Sequence, residues 1–104
     1  MKKISFSPPD ISELEINEVV EAMRSGWITT GPRTKQVENE IAGYCGTSRA
    51  VCLNSATAAL EMTLRVLGVG PGDEVITSAY TYTASASVIY HVGAKIVLVD
   101  TVPG

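Results

Sequence analysis

Residues 75–94 contain no Asp, Glu, Lys or Arg, whereas seven of the chain's eleven acids (Asp10, Glu13, Glu15, Glu18, Glu21, Glu38, Glu40) lie before residue 41. An uncharged run of that length does not suit the wet face of a half-solvated antiparallel sheet; it belongs in a layered interior covered on both sides. The elements around it agree. Ala50–Leu53 reads as a short apolar strand, and Thr57–Leu67 as a helix with Leu60, Thr63, Leu64 and Leu67 on one face. Glu74–Thr77 reads as a second strand, residues 82–91 as a helix of small side chains, and Lys95–Val99 as a third strand ending at Asp100. Strand, helix, strand, helix, strand at this spacing predicts a parallel α/β sheet.

The amino-terminal part reads differently. Ser12-Glu13-Leu14-Glu15 is a capping box, with Ile11 and Ile16 placed for a hydrophobic staple. Ile16, Val19, Val20 and Met23 then recur at helical spacing up to Gly26, which predicts an amphipathic helix packed on a partner. Gly26-Trp27-Ile28-Thr29-Thr30-Gly31-Pro32 is a connector, and a second helix starts near Thr34, shows Val37, Ile41 and Tyr44 on one face, and closes around Gly46.

Composition narrows the function classes. With 8 Lys plus Arg against 11 Asp plus Glu, the formal charge is −3. The only basic doublet, Lys2-Lys3, is too small to hold nucleic acid or a membrane surface. No apolar stretch reaches the roughly 20 residues that span a bilayer, and no secretory h-region follows Met1, so the expected compartment is the cytoplasm. Cys45, Cys52 and His91 offer no metal-ligand spacing; Cys52 reads as a small core hydrophobe and His91 as a helix-terminal residue bonded to free carbonyls.

In open parallel sheets, ligands bind beyond the carboxyl ends of the strands. The segments there are Asn54-Ser55-Ala56-Thr57-Ala58-Ala59-Leu60 and Ser78-Ala79-Tyr80-Thr81-Tyr82. The helix opening at Ser55 has two hydroxyls and no carboxylate before Glu61, which suits an external anion; the local residues alone favour the plainer reading, in which Ser55 or Thr57 is merely a helix cap. Tyr80 and Tyr82 either stack on a planar ligand or fill the gap between sheet and helix. Gly68-Val69-Gly70-Pro71-Gly72 is not a dinucleotide loop, because it follows a helix and precedes a strand.

Taken together, these stretches resemble the DegT/DnrJ/StrS aminotransferases, pyridoxal-phosphate enzymes of fold type I. The resemblance rests on Gly26–Pro32, Asn54–Leu60, Gly-Pro-Gly-Asp-Glu-Val-Ile at 70–76, Tyr-Thr-Tyr-Thr-Ala-Ser-Ala at 80–86 and Val99-Asp100, in the family's order and spacing. It implies that Ala56 and Thr57 hold the phosphate of pyridoxal 5'-phosphate through amides and a hydroxyl, with Ser55 alongside, and that Tyr82 stacks on the pyridine ring. It places the Trp27–Gly31 loop near the active site and dimer interface.

The resemblance also implies a transfer of an amino group, usually from glutamate, to a keto-sugar nucleotide, in polysaccharide or antibiotic biosynthesis, by a homodimer. Residues 1–48 then correspond to a helical segment with the active-site loop, and 49–104 to the first part of the cofactor-binding large domain. In the family the cofactor-bearing lysine lies in a Ser-x-x-x-x-Lys context. The residue five before Lys35 is Thr30 and five before Lys95 is Tyr90, so neither matches and no catalytic residue is expected in this chain. The resemblance further implies that later sequence contributes the strands between the first and the next two. The expectation is therefore an amino-terminal piece of a longer enzyme, inactive alone. The alternatives are a small phosphate- or nucleotide-binding α/β module without catalysis and an interaction fragment whose apolar strands pair with another chain.

Overall fold

The computed structural model describes residues 7–102, so the Lys2-Lys3 doublet and the Pro103-Gly104 end lie outside the described residues. The chain divides into two compact units, residues 1–50 and 51–104.

In the first unit, helix α1 (Glu13–Arg24) starts where the capping box predicts. Ser12 Oγ accepts from Leu14 N at 3.2 Å, and Glu15 Oε2 accepts from Ser12 N at 2.6 Å. Gly26, at φ +71°, supplies the left-handed residue that turns the chain out of the helix. Helix α2 (Pro32–Cys45) begins two residues before the expected start, because Pro32 occupies the first turn with its φ already helical. Arg33 on α2 meets Glu18 at 3.3 Å and Glu21 at 3.8 Å on α1.

The expected apolar packing of α1 is absent. None of its residues is buried, and Ile11, Ile16, Val19, Val20 and Met23 line an open groove of about 400 Å³. Only Ala42 is buried among the described residues of this unit.

The second unit contains α3 (Ala56–Val66), β1 (Glu74–Ser78), α4 (Ala84–His91) and β2 (Lys95–Val99). β1 and β2 pair in parallel, with Glu74 opposite Lys95 and Ser78 opposite Val99. α4 lies in the crossover that parallel pairing requires. Val88 and Ile89 of α4, with Val92 and Ala94 just after it, form the core, against which Leu64, Val69, Val75 and Ile96 pack. Alternation along the strands sends Val75 and Ile96 to this side and Ile76, 68% exposed, to the other.

Two expectations change here. Residues 50–53 are not a strand, so the sheet has two strands among the described residues rather than three. A strand exists only through a ladder, and the ladder among the described residues joins β1 and β2 alone. Cys52 is accordingly exposed rather than in the core, and neither Cys45 nor Cys52 is in a disulfide. The Gly68–Gly72 turn reverses the chain between α3 and β1 as expected, with positive φ at Gly68 and Gly72 and Gly70 N donating to Asp73 Oδ2 at 2.9 Å.

Candidate functional site

An α-helix leaves its first amides without intrahelical acceptors. At α3, Ser55 is extended, and its Oγ accepts from Ala58 N at 3.1 Å while its carbonyl accepts from Ala59 N. The Ala56 and Thr57 amides are therefore the donors left over at the positive end of the helix dipole. The first turn carries no acid that would compete with an incoming anion. Ser55 caps the helix, and the cap leaves two amides without acceptors, the second belonging to Thr57, which also carries a hydroxyl.

β1 runs into Ser78-Ala79-Tyr80-Thr81-Tyr82. Ala79 N donates to Val99 O at 2.9 Å, and Ser78 Oγ accepts from Tyr80 N at 3.2 Å, so the chain stays tied to the sheet to its carboxyl edge. Thr81 and Ser85 hydroxyls share a 3.2 Å hydrogen bond across the opening of α4. Tyr80 is 94% exposed and Tyr82 81%. Neither ring fills a gap between sheet and helix, which removes that alternative among the described residues.

Leu60 on α3, Thr77 near the end of β1 and Ser85 in the first turn of α4 line one cavity of about 300 Å³. Leu60, in the second turn of α3, thus stands near the carboxyl end of β1 and the first turn of α4. The Ala56 and Thr57 amides, which lack intrahelical acceptors, are chemically suited to an oxyanion, and the Tyr82 ring is exposed. Ser55 has its hydroxyl engaged with Ala58 N and with Asn54 Oδ1 at 3.4 Å.

Lys95 pairs with Glu74 at the first register position of the two strands, the opposite edge from the Ser78–Tyr82 segment. Lys35 lies in α2, in the other unit. Among the described residues no three His, Cys, Asp or Glu side chains are grouped to hold a metal, and no helix is long and apolar enough to cross a membrane.

In the first unit, Trp27 Nε1 donates to Thr30 O at 3.1 Å, and Trp27, Ile28, Thr29, Pro32 and Arg33 line a cavity of about 480 Å³. The indole lies so close over Gly31 that a Cβ there would overlap it.

Sequence reasoning missed one cluster. His91 bonds not to carbonyls but, through Nδ1, to Glu61 Oε2 at 2.9 Å, and Glu61 Oε1 accepts from Arg65 Nη2 at 2.7 Å. The hydrogen bond from Arg65, then that from His91, lowers the Glu61 carboxyl below its usual value. The Glu61–Arg65 spacing of four was visible in the sequence; the approach of His91, thirty residues on, was not.

A profile of the DegT/DnrJ/EryC1/StrS aminotransferase family matches residues 9–104. The chain belongs to that family. It is 46% identical over 97 residues to the spore coat polysaccharide biosynthesis protein SpsC of Bacillus subtilis, covering 93% of this chain and 25% of that protein. It is 48% identical over 92 residues to the UDP-4-amino-4-deoxy-L-arabinose–oxoglutarate aminotransferase of Shewanella sediminis, covering 88% and 24%. Among solved structures, a Streptococcus pneumoniae protein described as a sugar aminotransferase, in its pyridoxal-phosphate form, superposes with a TM-score of 0.84 at 66% identity. That match covers 94% of this chain and 25% of the other. The chain thus spans about a quarter of the length of the relatives it matches.

Proposed function

We propose that this chain is the amino-terminal part of a pyridoxal-phosphate-dependent aminotransferase that moves an amino group from an amino acid, glutamate in the first instance, to a keto-sugar nucleotide. The observation that carries the proposal is the opening of α3, where the Ser55 cap leaves the Ala56 and Thr57 amides free in a turn without acids. The family match and the sugar aminotransferases among the relatives support the substrate class. Residues 1–48 form the helical segment with the Trp27–Gly31 loop, and 49–104 begin the cofactor-binding domain.

In this reading, Ala56 and Thr57 bind the phosphate and fix its position at the helix terminus, with Ser55 shaping the turn and adding a weaker contact. Tyr82 holds the ring plane and shields one face from water. The bound cofactor supplies the electron sink that makes amino-group transfer feasible. The lysine that carries the cofactor belongs to sequence outside these 104 residues, and the working enzyme is a cytoplasmic homodimer.

The test uses the full-length protein. Thr57→Val removes a hydrogen bond to a charged group and is expected to weaken pyridoxal-phosphate binding about tenfold in a fluorescence titration. Tyr82→Leu removes the stacking ring and is expected to weaken it about fivefold. Unchanged affinity in both variants overturns the residue assignments. A full-length protein that neither binds pyridoxal phosphate nor aminates any keto-sugar nucleotide overturns the reading itself.

A further inference from the structure

Thr57, Glu61 and Arg65 follow one another at intervals of four along α3, so they form a column on one face of the helix. Glu61, in the middle of the column, is held from outside the helix by His91 Nδ1 at 2.9 Å. Arg65 Nη2, at its foot, reaches the His91 carbonyl at 3.5 Å at the end of α4. Leu64, three residues after Glu61 and so its neighbour on the helix surface, packs on the Val88–Ile89 core. The apolar contact and the Glu61–His91 hydrogen bond therefore stand side by side where α3 meets α4, and the second is directional where the first is not.

We propose that Glu61, with Arg65 and His91, is a positioning clasp that sets the rotation of α3 and thereby aims Thr57 at the cofactor phosphate. The clasp rests on the assignment of Thr57 made above. Glu61 and His91 touch neither cofactor nor substrate; they act through the helix that carries Thr57. Their side chains are 29% and 48% exposed, so water screens the attraction and the clasp contributes direction more than energy.

The experiment measures pyridoxal-phosphate affinity of the full-length protein by fluorescence titration, beside the thermal midpoint of each variant. Glu61→Gln and His91→Leu are each expected to weaken binding about threefold, within the range of partly exposed ion pairs. The double variant is expected to weaken it no further, because both changes break the same contact. His91→Asn, whose side-chain amide nitrogen replaces Nδ1 as a hydrogen-bond donor, is expected to keep the original affinity. Lower thermal midpoints with unchanged affinity, additive losses, or a His91→Asn variant as weak as His91→Leu would each overturn the clasp. Should His91→Leu fail to fold, Glu61→Gln and His91→Asn decide the matter between them. If the unsubstituted protein does not bind pyridoxal phosphate, the assignment of Thr57 falls and the clasp with it; binding by that protein with no change in the variants refutes the clasp alone.

Discussion

Gly31 has an extended backbone that any residue adopts, yet it sits where no side chain fits. The Trp27 indole covers it, held by Nε1 donating to Thr30 O at 3.1 Å. Gly31→Ala is expected to push the ring off this carbonyl and into water. Since Trp27 is the only tryptophan, the displacement reads as a red shift and loss of its fluorescence emission; an unchanged spectrum refutes the close packing. Ser55 makes a complementary case. Its hydroxyl satisfies Ala58 N, so Ser55→Ala is expected to cost about 1 kcal/mol of stability in chemical denaturation. Sequence alone did not decide between Ser55 and Thr57 as the cap. The hydrogen bond assigns the cap to Ser55, and only coordinates could show it, because either hydroxyl has the right spacing from a free amide.

At the level of elements, start and stop chemistry was legible. The Ser12–Glu15 box begins α1, Gly26 and Gly46 take the left-handed conformation after α1 and α2, and β2 spans the predicted residues 95–99. The departures occur where an element depends on something distant: residues 50–53 do not join the sheet, and the apolar stripe of α1 has no covering face among the described residues. Two carboxylates inside the helices give a pH dependence. Hydrogen bonds from Ser12 to Glu15, and from Arg65 and then His91 to Glu61, lower both groups below 4.5. A lowered folded-state value means that the contribution is present above the ordinary carboxylate range and is lost as pH falls through the lower, folded value. The helical circular-dichroism signal is therefore expected to decrease on acidification below about 4.5, and by less in Glu15→Gln and Glu61→Gln. Identical acid transitions in all three proteins would show that these bonds do not contribute.

At the scale of the whole molecule, the buried hydrophobic residues among those described are Ala42, Val88, Ile89, Val92 and Ala94, while Leu14, Ile28, Val51, Ile76 and Tyr82 stand exposed. So much apolar surface in water marks faces made to be covered. The isolated 104-residue chain is expected to bind the dye ANS and to self-associate on size exclusion; a dye-silent monomer contradicts this. Borohydride reduction after stoichiometric pyridoxal phosphate is expected to leave no adduct specific to Lys35 or Lys95, checked by peptide mass spectrometry. The amino-acid sequence by itself determined the helix boundaries near caps and glycines, the two strands flanking the uncharged run, and the family, because these depend on local chemistry and on ordered motifs a few residues long. Only the tertiary structure decided that residues 50–53 form no strand, that the Tyr80 and Tyr82 rings stay bare, and that His91 meets Glu61 across thirty residues. Each of these depends on what stands opposite in space, which a linear pattern of side chains does not specify.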